Sequence, residues 1–278
     1  MSRYVPQGPK RIVCLTEETT ETLYLLGQQH RIVGISGFTV RPPQARKDKP
    51  RVAAFTSARI DRIVELKPDL VLGFSDLQAD IAADLIRRGL AVHVFNQRSV
   101  DGIFDMIQTL GALVNVATAA QELIGTLQQN LEQAQRQAEQ LAFRPRVYFE
   151  EWNEPLITGI QWVSELVELA GGRDCFAALA QQAAASGRIV TDPDQVIEQN
   201  PDIIIGSWCG KKFRPAQVRD RPGWHRISAV QQDQLHEIKS CDILQPGPAA
   251  LGDGLQQLVN IIQRWSLLQS GRRVSARC

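Results

Sequence analysis

The sequence has little with which to hold a metal or form a crosslink. Its four histidines, His30, His93, His225 and His236, are far apart and form no H-x-H or H-x-x-x-H pair, so a local divalent-metal site is not indicated. Five cysteines, Cys14, Cys175, Cys209, Cys241 and Cys278, are odd in number, scattered and without a C-x-x-C pair. That usage fits reduced thiols and argues against a disulfide framework or structural zinc. Neither sign of charge dominates, since Lys+Arg 31 stands against Asp+Glu 30, and nothing in the balance calls for nucleic acid or an anionic membrane surface. Long apolar runs are missing too. The Asp-Ile-Ile-Ile-Gly stretch at 202–206 is strand length, far from the ~20 residues of a spanning helix. Neither G-x-x-x-x-G-K-[ST] nor G-x-G-x-x-G occurs, so nucleotide use is not indicated, and there is no G-x-S-x-G elbow. The first ten residues show no apolar signal core, which leads to an expectation of cytoplasmic residence with all five thiols reduced, or periplasmic residence if a leader has been removed.

What is present is organised around residues 114–142, a proline-free stretch with apolar residues at Ala120, Leu123/Ile124, Leu127, Leu131, Ala134 and Ala138. That spacing is helical and confines the apolar side chains to one narrow stripe. A helix of this length is more than one βα unit needs, so it reads as a strut joining two bodies. The seam fades into alanines, which disfavours a two-stranded coiled coil. Before it, strand patterns at 11–15, 31–35, 70–72 and 91–95 alternate with helix patterns at 21–26, 58–66, 78–88 and 100–113. After it, strands at 146–150, 203–205 and 235–239 alternate with helices at 161–170, 194–198 and 249–267, with residues 177–186 read as a flexible surface segment. The expected fold class is α/β: two Rossmann-like lobes, 1–113 and 145–268, joined by one backbone helix, 114–144, with a disordered basic tail at 269–278.

The lobes echo one another. Ile60-Asp-Arg-Ile-Val-Glu-Leu-Lys-Pro-Asp-Leu-Val-Leu-Gly73 matches Pro193-Asp-Gln-Val-Ile-Glu-Gln-Asn-Pro-Asp-Ile-Ile-Ile-Gly206 as helix, Pro-Asp turn, buried strand and glycine. Two similar lobes on one strut predict a ligand groove between them, bordered by loops at the C-terminal ends of parallel strands. Those loops carry Glu17, Phe38, Phe55, Phe74, Glu150, Glu151, Trp152, Trp208, Cys209, Lys211 and Gln245, the candidate ligand-binding set. Aromatics beside polar groups suit a large, flat ligand, although ordinary lobe core is the commoner home for any one of them. The Ser207-Trp-Cys-Gly-Lys-Lys-Phe213 stretch sets a thiol beside two lysines. This leaves an enzyme as the alternative, with Cys209 as nucleophile, Lys211 or His225 assisting and Glu150 as acid or base.

Three stretches carry a family resemblance. They are residues 11–27, the Leu-Lys-Pro-Asp-Leu-Val-Leu run at 66–72, and the Pro-Leu-x-Thr-Gly…Glu-Leu-x-Glu-x-Ala-Gly-Gly pattern at 155–172. In this order the chain resembles the substrate-binding proteins of ABC importers for cobalamin and iron-siderophores, leaning to the cobalamin branch. In this chain Glu17 and Glu18 replace the Pro-Ser pair of the family's first loop. The resemblance implies non-enzymatic binding of cobalamin or a related corrinoid, with no intrinsic cofactor or metal, or of an iron-siderophore as the alternative. It also implies docking on an ABC permease through Asp80 and Asp194, without membrane insertion or nucleic acid.

Overall fold

The structure, a computed structural model, describes residues 8–275, with side chains through residue 271. It has two α/β units: one runs to Gln97 and resumes over Asp101–Thr126, and the other comprises Arg98–Val100 and the chain from Leu127 onward. The backbone helix, Ala117–Glu139, passes from one unit to the other and is 23 residues long, about 34 Å. It is shorter than expected at both ends because Asn115 takes a left-handed φ of 60° after the helix Val100–Leu113, and the last turn ends before the Pro145 strand entry. The stripe is as read: Ala120, Leu127 and Ala134, seven residues apart, are buried.

In the first unit, β1 (Ile12–Cys14), β2 (Ile32–Ser36), β3 (Arg51–Ala54), β4 (Ser57–Ala58), β5 (Leu70–Phe74) and β6 (Val92–Phe95) lie in the order β4-β3-β2-β1-β5-β6. Every pairing is parallel except β3 with β4. Val13, Leu15, Val52, Ile63, Val71, Ile81 and Leu85 form the core beneath helices Ile60–Glu65 and Ala79–Arg87. Strands this short and apolar belong to a sheet covered on both faces.

The second unit contains β7 (Arg146–Asn153), β8 (Leu156–Thr158), β9 (Arg173–Asp174), β10 (Ile203–Gly206) and β11 (Leu235–Glu237), in the order β11-β10-β7-β8 with β9 pairing β7. Its core is aromatic. Tyr148 stands edge-on to Phe176 and Trp224, and Trp208 edge-on to Phe213. Gly206 permits this packing, because a Cβ there would lie 1.9 Å from the Phe213 ring.

Several expectations are corrected. Residues 177–186 lie mostly at the surface as expected, but they contain the helical turn Ala177–Ala180 and lead into a second, Ala185–Arg188, whose Arg188 is buried. The last helix starts with a π turn at Ala250–Gly254 and continues as Leu255–Ser275, so the backbone of the basic tail is helical through Ser275. The remainder of the tail and Cys278 lie outside the described residues. Strands β3, β4, β8 and β9 were not expected, being two to four residues long with no alternation to betray them.

Candidate functional site

The C-terminal strand ends of the two sheets carry different chemistry. In the first unit, helix Glu17–Leu25 follows β1 directly, and its residues from Glu17 to Leu23 are all buried. A helix buried all round needs internal partners for its polar side chains. The Thr19 and Thr20 hydroxyls donate to the Thr16 carbonyl, and that of Thr22 donates to the Glu18 carbonyl. Thr16 holds the N-cap position, but its hydroxyl donates to Glu18 Oε1 at 2.5 Å instead of capping the helix. Burial, reinforced by the Glu17 charge, pushes the Glu18 carboxyl up to about 8 against the opposing Thr16 hydrogen bond. It is therefore protonated at neutral pH. Glu17 accepts from Ser36 Oγ at 2.7 Å, and Ser36 Oγ accepts from the Phe38 amide at 3.1 Å. Glu17 thus fixes the loop that holds Phe38, which is 58% exposed.

Gln78 does the same for two other strand ends. Its carboxamide is fully buried, accepts from the Phe74 amide at 3.0 Å and donates to the Phe55 carbonyl at 2.9 Å. Phe74 itself is buried, whereas Phe55 is half-buried.

In the second unit Glu150, at the sheet's centre, has no exposed surface. Arg221 grips it with two hydrogen bonds of 2.6 and 2.8 Å, and Trp208 Nε1 donates to it at 2.8 Å. Arg221 also lies over the Trp224 ring at 4.3 Å. Glu151 pairs with Arg188, which donates in addition to the Thr158 carbonyl. Trp208 is 3% exposed and belongs to the core, so neither it nor Phe74, both in the candidate ligand-binding set, presents an open face. The accessible aromatic here is Trp152, with Lys211 Nζ 3.8 Å from its ring centroid. Cys209 and Lys211 are exposed and Gln245 is half-buried. Four buried hydroxyls, those of Tyr24 and Thr39 in the first unit and of Tyr148 and Ser207 in the second, have no hydrogen-bond partner among the described residues.

Asp80 and Asp194 are exposed, each in the first turn of its helix. Sequence reasoning missed Arg188, Arg221 and Gln78. Arg221 meets a carboxylate 71 positions away and Arg188 one 37 positions away, and no local pattern announces such pairs. Among the described residues, no group of three or more His, Cys, Asp or Glu is placed to hold a metal ion. Among the described residues no helix is long and apolar enough to cross a membrane either.

Residues 12–241 match the model of a family described as periplasmic binding protein. An ABC transporter substrate-binding lipoprotein of Bacillus subtilis (strain 168), YvrC, itself uncharacterized, is 24% identical over 267 residues, which is 93% of this chain and 81% of the relative. The vitamin B12-binding protein of Vibrio cholerae is 26% identical over 264 residues, 93% of this chain and 91% of the relative. In fold, the chain is similar to IsdE of S. aureus, solved in complex with heme, with a TM-score of 0.78 at 21% identity over 92% of this chain and 99% of that one.

Proposed function

The chain belongs to the periplasmic binding protein family, and on that footing we propose that it captures a corrinoid, cobalamin or a close relative, and delivers it to an ABC permease. The corrinoid is cargo and not a cofactor, and the protein performs no turnover. The reading rests on relatives that are binding proteins, among them one that binds vitamin B12. The observation that carries it within this chain is the set of accessible aromatics at strand ends: Phe38 stands open in the first unit, and Trp152 carries the Lys211 ammonium over its ring in the second. Aromatic faces of this kind, taken in each unit by itself, suit a ligand with flat apolar faces and polar amide edges, and the exposed Lys211 ammonium can donate to an edge carbonyl. Asp80 and Asp194, exposed at helix starts, are the residues assigned to permease arginines.

Titration calorimetry with cyanocobalamin, cobinamide and heme tests this. We expect a corrinoid to bind more tightly than heme. Trp152→Ala should weaken it by about thirtyfold, the equivalent of about 2 kcal/mol for a central aromatic anchor. Leu267→Ala, which trims an exposed side chain on the last helix, should leave it unchanged. If no corrinoid binds below millimolar, or heme binds more tightly, the assignment is wrong.

A further inference from the structure

A concavity of about 810 Å³ lies at the β3–β4 edge of the first sheet, wholly within the first unit. Its walls come from four consecutive elements: Arg46 and Lys49 from helix Pro43–Asp48 and the residue after it, Arg51 from β3, Ser57 from β4, and Arg59 and Arg62 from the N-cap and first turn of helix Ile60–Glu65. No aspartate or glutamate lines it. Arg62 pairs with Glu65 at 2.8 Å, outside the walls. The side chains of Arg46, Lys49, Arg51 and Arg59 have no hydrogen bond or ion pair among the described residues, although the whole chain carries a net charge of only +1. Ser57, at the same edge, also has a hydroxyl with no partner among them.

Like charges gathered in one hollow repel unless an anion joins them, and among the described residues Arg46, Lys49, Arg51 and Arg59 are given none. We propose that this concavity binds a small molecule carrying two or more negative charges on phosphate groups. The guanidinium fork matches phosphate oxygens two at a time, and Lys49 adds a point charge. A volume of this size is ordinary for a small-molecule site. Ser57, on the two-residue edge strand β4, adds a hydroxyl to the same lining. This assignment does not depend on the corrinoid reading.

Phosphate could be offered free or as a lipid headgroup, and the two are separated as follows. Pyrophosphate is titrated into the full chain at low salt, beside the variants Arg46→Gln/Arg59→Gln and Lys49→Gln/Arg51→Gln. The charge-matched control is Lys10→Gln/Arg136→Gln, at exposed sites elsewhere. Wild type and control should bind alike, each site variant at least tenfold more weakly, and binding should fade as salt screens it. Circular dichroism confirms folding, and either site variant alone suffices for the comparison. Absence of pyrophosphate binding, or equal affinity in a folded site variant and wild type, overturns the proposal. Sedimentation with phosphatidylglycerol vesicles without pyrophosphate binding overturns it in favour of a membrane headgroup.

Discussion

Glu150 shows how one residue's surroundings decide its role. From sequence it is a carboxylate at a strand end, next to Glu151 and Trp152, and available to a ligand. In the structure both of its oxygens are engaged, by the Arg221 fork and the Trp208 indole, in a setting with no exposed surface. A buried ion pair of this kind contributes little against an apolar replacement, yet removing one partner strands the other charge. We therefore expect Glu150→Gln and Arg221→Met each to destabilise the second unit by about 3–5 kcal/mol, read from urea unfolding. The double variant should cost clearly less than the sum. An additive double variant would mean that the two residues do not act as a pair. Trp208→Ala is correspondingly a core deletion and not a clean probe of ligand binding.

At the scale of elements, the internal echo is matched by structure at several levels. Lys67 and Asn200, equivalent positions in the two copies, both turn the chain with left-handed φ, 47° and 42°. Each Pro-Asp carboxylate then clamps the first strand of its own sheet: Asp69 accepts from the amides of Lys10 and Arg11, Asp202 from that of Arg146. The backbone repeats the contact, since the Asp69 amide donates to the Arg11 carbonyl and the Asp202 amide to that of Arg146. We expect Asp69→Ala and Asp202→Ala each to cost about 1 kcal/mol, as partly exposed charge-assisted hydrogen bonds. Asp69, with two amides, should cost more. The order reversed in denaturant titrations would show that the clamps are not the main contribution of these residues. This element was legible because a helix, a Pro-Asp turn and a buried strand leave local signatures. The helix expected at 21–26 starts four residues earlier, at Glu17, because a stretch buried from Glu17 to Leu23 has no amphipathic period, and its polar residues satisfy each other in ways that no spacing rule encodes. The aromatic strand-end loops were found as positions. Which rings keep surface is set by packing, and so Trp152 is only half-buried while Phe74 and Trp208 are buried.

On the scale of the whole molecule, the two units differ in how they should respond to pH, and the sequence supplies separate reporters for them. All five tryptophans, Trp152, Trp162, Trp208, Trp224 and Trp265, lie in the second unit, so their fluorescence follows that unit alone. The buried Glu18 lies in the first. Its carboxyl holds a proton up to a pH of about 8 when folded, against 4.5 as the ordinary value. The folded state therefore binds more protons than the unfolded state between those limits. Stability from this group is greatest below pH 4.5 and is lost as pH rises through 8. Burial lowers the His93 and His236 pKa values, which acts in the opposite direction near pH 6.5, but one of these histidines sits in each unit and they do not distinguish the two. The thiols of the buried Cys14 and the partly buried Cys175 are pushed up to about 12 by desolvation and do not titrate in the folded protein in this range. Between pH 5.5 and 8.5 the first unit should lose on the order of 3 kcal/mol that Glu18→Gln, neutral at every pH and still an acceptor for Thr16, does not lose. Urea unfolding followed by far-ultraviolet circular dichroism should show an earlier transition at pH 8.5 in wild type and not in the variant, while the tryptophan midpoint moves much less. Equal shifts in both probes, or the same shift in Glu18→Gln, would place the pH dependence outside the buried helix of the first unit.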